Sequence, residues 1–446
     1  MNPFTHIGHL IRHSATGPVR LPAPLSWRML TRDPAAAVQR AILMEYLKTG
    51  STASRLLTLG IALMFWPFRT FTQAMRLTRQ VGGQVTDIRS RPAQFVQQLW
   101  LAWFHGISPY MYYHLGMASS SEVNRPMEWL QNGHAGLLSR VFREDKTLPE
   151  INDKLLFARI MHEHRVPIPP ILAAFEAGQL CAGYNRAQVL HGMTRHKALF
   201  VKPVRSSGGK ASMAIQRMPD GRWTSDFGDG SGASIQAPLS QEGRVDNVRT
   251  SEALLIMLGN SLGNGSFIVQ PRLENHPDLP SLGGAGLASI RILTGLRKTE
   301  VTILRAVLSL PLAESITSQR GFKAAIDAQT GRLGQVFLSK GIDQQFSSSL
   351  GPKGPAVEGR QVPFWPAILD QVRCAHLALL GYMVLGWDVA VTPDGPVFLE
   401  ANGNFGTVGL QKPGRRPLID SAFLAVFRSW SKASSMKFNE FVDPAG

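Results

Sequence analysis

Gly386-Trp387-Asp388-Val389-Ala390-Val391-Thr392-Pro393-Asp394-Gly395-Pro396-Val397-Phe398-Leu399-Glu400-Ala401-Asn402 is the stretch on which the reading of this 446-residue chain turns. Two apolar runs flank Pro393-Asp394-Gly395, which is a strong hairpin signal. A hairpin closed symmetrically about Asp394 sets Asp388 opposite Glu400. Directly facing Cβ atoms lie about 4.5–5.5 Å apart, and facing like charges destabilise a sheet. Asn402 shares the face of Glu400, because strand side chains alternate. Two carboxylates and an amide oxygen form a hard-oxygen set suited to Mg²⁺, with waters and phosphates as its other ligands. Two resolutions without a metal stay open: one carboxylate keeps a proton, or both turn to solvent. The apolar strands make the second less favourable.

A second feature lies upstream. Phe200-Val201-Lys202-Pro203-Val204 reads as a short strand with one lysine, running into Arg205-Ser206-Ser207-Gly208-Gly209-Lys210-Ala211-Ser212. A loop rich in Gly and Ser can turn backbone N–H groups towards phosphate oxygens. It is not a Walker A loop: where that motif has glycine and then Ser or Thr, this chain has Val204 and Ala211. In isolation it equally describes a solvated turn with exposed lysines.

Between and around these features the texture is mixed. Strands are expected at 198–204, 266–270, 289–296, 301–308, 333–337, 387–392 and 397–401. Helical patterns are expected at 150–165, capped by Asn152 or Asp153, and at 251–258 and 365–380. Residues 347–359 read as a Gly/Pro/Ser-rich loop, and no internal repeat is evident. This alternation predicts an α+β core. The 44% apolar content excludes wholesale disorder. Two cysteines, Cys181 and Cys374, cannot build a disulfide framework or a cysteine zinc site, so a reducing, cytoplasmic compartment is expected.

The net charge of +16 is lopsided. Residues 1–118 hold 12 Lys/Arg against three Asp/Glu, net +9, leaving 35 against 28 and net +7 for the other 328. A basic segment points to a polyanion, either nucleic acid or an anionic membrane face. The segment reads as helical, with Val96, Trp100, Trp103 and Phe104 at helical spacing. Its Leu56–Phe68 run comes too late for a signal peptide and, at 13 residues with Pro67 inside, is too short to span a bilayer. It reads either as a buried helix or as an interfacial one, with Trp66, Arg55 and Arg69 at headgroup level. Trp27, Trp100, Trp103, Tyr46, Tyr110, Tyr112 and Tyr113 suit an interface, or equally a packed bundle. No nucleic-acid-binding signature is present, so such a partner is not expected.

Taken in order, these motifs resemble the ATP-grasp superfamily, most closely its sugar-transfer-associated group and more distantly its glutamate-ligase-like members. The resemblance runs from about Asp153 to Asp420. It rests on Asp153-Lys154, the Lys202 strand, Gly208-Gly209 and Phe267-Ile268-Val269-Gln270-Pro271-Arg272. It continues through Ser289-Ile290-Arg291-Ile292, Ala325-Ile326-Asp327 with Thr330-Gly331, and Asp388 with Glu400-Ala401-Asn402. It implies an ATP-grasp fold, two α+β subdomains clasping ATP, preceded by the mainly helical segment. The expected divisions are 1–125 (basic helical segment), 126–195 (helices and linker), 196–270 (small subdomain), 271–435 (large subdomain) and 436–446 (tail).

The resemblance also implies roles. Lys154 and Lys202 would hold the nucleotide phosphates under a lid of Ser206, Ser207, Gly208, Gly209 and Lys210. Gln270, Pro271, Arg272 and Leu273 would meet adenine, and Glu274, or else Asp278, the ribose. Asp388, Glu400 and Asn402 would hold one or two Mg²⁺ ions, Mn²⁺ being an alternative. Arg291 would lie near the transferred phosphate or acyl group. Lys323 is a further acceptor-side candidate, although Arg320-Gly321-Phe322-Lys323 departs from the Gly-rich stretch of relatives.

The family chemistry is ligation: a small-molecule or sugar-linked carboxylate is activated as an acyl phosphate and passed to an amine, here in surface-polysaccharide or sugar-conjugate synthesis. The rival readings are a kinase on the same fold and a non-catalytic nucleotide-binding protein of a membrane-associated assembly. Peripheral contact with the inner face of a membrane through residues 1–118 is the expected placement.

Overall fold

The computed structural model describes residues 26–47, 52–81, 89–118, 125–131, 133–141, 151–205, 212–226, 248–261, 265–283, 286–312, 321–338 and 346–433. Two antiparallel sheets organise it. The first contains β1 (Ala173–Glu176), β2 (Gln179–Leu180), β3 (Ala198–Pro203), β4 (Met213–Arg217), β5 (Trp223–Asp226) and β6 (Ser266–Pro271), in the order β2-β1-β6-β3-β4-β5. The second contains β7 (Ser289–Arg297), β8 (Glu300–Pro311), β9 (Gly321–Ile326), β10 (Leu333–Leu338), β11 (Phe346–Ser347), β12 (Val384–Thr392) and β13 (Gly395–Asn402), in the order β11-β10-β9-β8-β7-β12-β13. Strands β1 and β2 fall inside 126–195, the stretch expected as helices and linker. They are short and lack a clear alternation, which hides them from periodicity.

The helices are α1 (Pro34–Leu47), α2 (Thr52–Val81), α3 (Arg91–His105), α4 (Pro109–His114), α5 (His134–Val141), α6 (Lys154–Glu163), α7 (Arg186–Thr194), α8 (Ser251–Ser261), α9 (Trp365–Leu377), α10 (Thr407–Gln411) and α11 (Ser421–Ala433). Helix α6 begins where it does because the Asp153 carboxylate accepts from the N–H groups of Leu155 and Leu156 at 3.0 and 3.1 Å. Helix α3 starts at Arg91-Pro92 and ends at Gly106, whose φ of 73° is left-handed.

Each sheet buries one face under helices. Val189 and Met193 of α7 and Leu254 and Leu258 of α8 pack on Leu199, Val201, Phe267 and Val269 of the first sheet. In the second sheet, Trp387, Val389, Phe398 and Ala401 pack with Trp365, Ile368 and Val372 of α9. The opposite face of this sheet is covered along part of its length by α1, α5 and α11, through Val38, Ile42, Leu138, Phe423 and Phe427 against Leu293 and Val307. The basic N-terminal segment is thus anchored on the second sheet rather than tethered beside it.

The β12–β13 hairpin sets Asp388 opposite Glu400, but by a different route from the symmetric one. The turn is the two-residue Pro393-Asp394, with Thr392 opposite Gly395, and Val389 faces Phe398. The register then shifts between Asp388 and Val389, leaving Leu399 as the extra residue. Without that bulge, Glu400 would share the face of Phe398 and point into the core. With it, Phe398 and Ala401, three apart, both enter the core, and Glu400 turns to the side of Asp388. Bulges re-aim side chains in this way next to functional sites.

The N-terminal aromatic and basic residues sort differently from the interfacial expectation. Trp66 and Arg69 are buried, not at a surface, and so are Tyr112 and Tyr113. Leu57, Leu63, Met64, Phe68 and Phe71 of the same long helix are exposed, so the run is not a wholly buried helix either. Among the described residues no helix is long and apolar enough to cross a membrane.

Candidate active site

The site is one row of paired positions across the second sheet. Glu400 on β13 faces Asp388 on β12, and Asp388 faces Arg291 on β7. Lys323 on β9 faces Ser309 on β8, which faces Ser289, two residues from Arg291 and so on the same face.

The groups engage one another closely. Arg291 donates through Nε to Asp388 Oδ1 and through Nη2 to Oδ2 at 2.7 Å, a two-pronged ion pair. Its Nη1 donates to the Phe405 carbonyl at 2.9 Å. Asn402 Nδ2 donates to Glu400 Oε1 at 3.0 Å and to Asp388 Oδ2 at 3.4 Å, so its amide spans both carboxylates. The Phe405 loop can approach because β12 has Gly386 there: a Cβ at that position would lie 2.5 Å from Phe405 Cβ and 3.2 Å from its Cα.

Burial shapes the electrostatics. It pushes the Asp388 carboxyl up to about 6; Arg291 opposes this and Glu400 adds to it. For Glu400, burial is outweighed by hydrogen bonds from Asp388 and Asn402 and by the Arg291 and Lys154 charges, so it stays below the ordinary range. As the pH falls, the pair therefore takes up its first proton more readily than an isolated carboxylate. Burial also lowers Lys323; the Arg291 charge adds to the shift and Asp388 opposes it.

Two lysines lie within electrostatic range of the carboxylates, one on α6 and one on the first sheet. Lys154, the first residue of α6, is buried, and its Nζ donates to the Val204 carbonyl at 3.4 Å. Burial lowers its ammonium, and Glu400 and Asp153 pull it back. Lys202 on β3 sits opposite Ile268, on the face away from the α7–α8 core. Burial and the neighbouring Lys154 charge bring it down to about 8, against the pull of Glu400. Both lysines therefore feel the Glu400 charge, and the Phe398 N–H of β13 donates to the Pro167 carbonyl at 2.8 Å, tying the segment after α6 to the carboxylate hairpin. Asp153 ties this corner together: besides capping α6 it accepts from Arg205 Nε at 3.2 Å.

The remaining expected residues lie less centrally. Gln270 is buried on the Lys202 face, but its Nε2 donates to the Pro169 carbonyl at 3.1 Å. Pro271 ends β6, and the Arg272 N–H donates to the Ala198 carbonyl at 3.0 Å. Leu273 is half-buried, and Glu274 and Asp278 are both exposed. Ser206, Ser207, Gly208, Gly209 and Lys210 lie outside the described residues. Arg291, expected at the transferred group, is held by Asp388 here.

Sequence reasoning missed the Phe405 carbonyl, which carries no side-chain signal, and the packing role of Gly386. It also missed a buried chain beside the site. Trp387 Nε1 donates to Thr294 Oγ1 at 2.8 Å, and that hydroxyl meets His376 Nδ1 at 2.7 Å. His376 Nε2 in turn donates to the Tyr382 carbonyl at 2.9 Å. This chain anchors β12 one residue from Asp388.

Residues 137–422 match the family model of sugar-transfer associated ATP-grasp. The chain belongs to the sugar-transfer associated ATP-grasp family. Its fold is accordingly the α+β ATP-grasp fold, carried by the two sheets and preceded by the helical N-terminal region. No curated protein matches the chain by sequence. Similar solved structures include the VanG D-Ala:D-Ser ligase from Enterococcus faecalis, with 14% identity over 66% of this chain and 63% of that one and a TM-score of 0.33. They also include D-alanine–D-alanine ligase from Bacillus anthracis, with 9% identity over 67% and 70% and a TM-score of 0.33. A third is an L-amino acid ligase from Bacillus licheniformis, with 12% identity over 68% and 57% and a TM-score of 0.34. The chain thus spans less than two thirds of the length of the first of these.

The residues of this ATP-grasp site suit a magnesium ion in chemistry, since the donors are carboxylate and amide oxygens. Among the described residues no three His, Cys, Asp or Glu side chains converge. Asn402 would therefore be the third protein donor, turning its oxygen instead of its NH₂ towards the carboxylates. Like charge between Asp388 and Glu400 makes a cation favourable there.

Proposed function

We propose that the chain is an ADP-forming, ATP-dependent ligase that activates a carboxylate as an acyl phosphate and passes the acyl group to an amine. The product belongs to surface-polysaccharide or other sugar-conjugate synthesis. The observation that supports this reading is the cluster of Arg291, Asp388, Glu400 and Asn402 on one face of the second sheet, with Lys154 and Lys202 near enough to feel the Glu400 charge.

Phosphoryl transfer needs positioned cations and a dry site more than covalent chemistry from the protein. Lys154 and Lys202 hold the terminal phosphates by charge. Asp388, Glu400 and Asn402 hold the metal, which when bound neutralises charge on those phosphates. Arg291, held by Asp388 and the Phe405 carbonyl, would face the oxygens of the transferred phosphoryl or acyl group. Lys323, whose Nζ lies near Gly409, serves the acceptor. Residues 270–274 meet the base and ribose.

Hydroxylamine trapping tests the reaction class. With purified protein, ATP, Mg²⁺ and pooled carboxylates, a hydroxamate and ADP are expected together. ADP without hydroxamate turns the reading to a kinase. Asp388→Asn and Glu400→Gln are each expected to abolish ADP release while unfolding cooperatively; full activity in both would remove the metal assignment.

A further inference from the structure

Helix α3 carries its polarity inverted. Gln94 and Gln98 face the protein at 0% exposure, while Val96, Trp100 and Phe104, spaced four apart, face outward at 63%, 46% and 44%. Gln98 Nε2 donates to Thr78 Oγ1 at 2.8 Å and Gln94 Oε1 accepts from Tyr113 Oη at 2.9 Å, while Gln98 Oε1 has no partner among the described residues. The outward stripe is therefore not a failure of packing but a surface. Helix α2 adds a second stripe, with Leu57, Met64, Phe68 and Phe71 exposed at seven-, four- and three-residue spacing, all on one helical face. The two helices carrying these stripes touch where Phe71 of α2 and half-buried Phe95 of α3 lie edge to face, 5.4 Å apart. Beside Phe104, exposed Trp27 and Leu30 extend the patch; Ser26 Oγ donates to the Phe104 carbonyl at 2.7 Å. Apolar patches of this extent mark interaction sites.

The charge around the patch selects its partner. Helices α2 and α3 together contain five arginines and no acidic residue. Arg76, Arg79 and Arg91 are exposed, as are Arg28 and Arg32 beside Trp27. A second copy seated on the same face would set arginine against arginine with no acid in either helix to pair them. Residues 1–25 carry Arg12 and Arg20 and no acid, so they do not complement it either. A bilayer with anionic headgroups does: apolar and Trp side chains enter the headgroup–acyl boundary while arginines meet phosphates.

We propose that the outer faces of α2 and α3, with the Trp27–Leu30 turn, form a docking surface for an anionic membrane. A shallow depression lined by Arg89, Pro92, Ala93, Val96, Gln97 and Trp100 lies within it and gives room for part of an acyl chain or headgroup. The docking does not depend on the ligase chemistry, since none of these residues belongs to the nucleotide site.

Vesicle co-sedimentation of the full chain without ATP is the test. The protein is expected to sediment with phosphatidylglycerol-rich vesicles, much less with phosphatidylcholine alone, and less as salt rises. The double variant Trp100→Ser/Phe104→Ser is expected to lower the partition coefficient at least about tenfold. The double variant Arg76→Gln/Arg79→Gln is expected to lower it about fivefold per arginine, on anionic vesicles only. Brominated lipid is expected to quench tryptophan emission, and less so in Trp100→Phe, a change that keeps the apolar surface and decides the matter if the serine variant does not fold. No sedimentation with either vesicle, or quenching unchanged in Trp100→Phe together with partition unchanged in the arginine variant, would overturn the proposal. So would a concentration-dependent dimer abolished by the same serine substitutions.

Discussion

Gly386→Ala isolates the packing on which the site depends. Gly386 sits on β12 two residues before Asp388, and its backbone lies against the Phe405 loop. An alanine Cβ would stand 2.5 Å from Phe405 Cβ, 3.2 Å from Phe405 Cα and 3.5 Å from Arg291 Cδ. Ordinary contact begins near 3.4 Å, so the loop must retreat by roughly 1 Å or the strand must bend. Neither neighbour is the far end of a flexible side chain. Overpacking of this kind costs about 1–3 kcal/mol. The chemistry should suffer more than the fold, because the retreating segment carries the carbonyl that holds Arg291 Nη1, and misplacement by about 1 Å can cost about a hundredfold in rate. The assay pairs urea denaturation with ADP release under saturating ATP. Gly334→Ala on β10 is the control: its nearest atom would be 3.6 Å away, and alanine there should be neutral or stabilise by about 0.5–1 kcal/mol. If Gly386→Ala keeps both the wild-type midpoint and the wild-type turnover, the close approach of Phe405 does not position Arg291.

Three other outcomes are expected. Lys202 is held at about 8 against an ordinary 10.5, a deficit fully expressed below pH 8 and gone above 10.5; Lys202→Met should therefore raise the stability of the nucleotide-free protein by about 1–3 kcal/mol at neutral pH while losing most of the ATP-induced shift in Tm. Thr294→Val removes the hydroxyl that accepts from Trp387 and meets His376; stranding two buried groups should cost about 2–4 kcal/mol in urea denaturation, and a loss below 0.5 kcal/mol would contradict the buried chain. Burial lowers His376 and His105 from 6.5 to about 4, so the fold resists protonating them. The stability they contribute is complete above pH 6.5 and falls away as the pH drops through 4, and His376 alone accounts for about 3 kcal/mol of that loss. Unfolding free energies measured from pH 7 to pH 4 in wild type and His376→Gln should differ in slope; equal slopes would refute it.

Much of the second sheet was legible in the chain. β7, β8, β10, β12 and β13 are rich in Val, Ile, Leu and Phe between clear turn signals, so their period and boundaries stand out. Lys202 and Lys154 could be marked as single cations at the end of an apolar strand and the start of a capped helix. β1, β2 and β11 escaped because two to four residues are too few for a period to register. β9 escaped because Lys323 and three small residues, Gly321, Ala324 and Ala325, blur its alternation. Gly386 and the Phe405 carbonyl could not be read at all, since a close approach and a backbone acceptor leave no compositional trace.

Residue type and spacing alone determined that a hairpin places two carboxylates near one another, that lysines precede them in order, that residues 1–118 are basic, and that helices lie within 34–114. Tertiary structure decided which way those residues face. Glu400 joins Asp388 only because an extra residue at Leu399 reverses the alternation of β13, and register shifts are set by packing of Phe398 and Ala401 in the core rather than by the strand's own pattern. In α3 the same kind of decision ran against the rule: the 3.6-residue period marked a helix with an apolar stripe, but Gln98 and Gln94 pair inward with Thr78 and Tyr113, and Val96, Trp100 and Phe104 face outward. Periodicity specifies that a face exists; the hydrogen-bonding and packing needs of the neighbouring elements specify where it points.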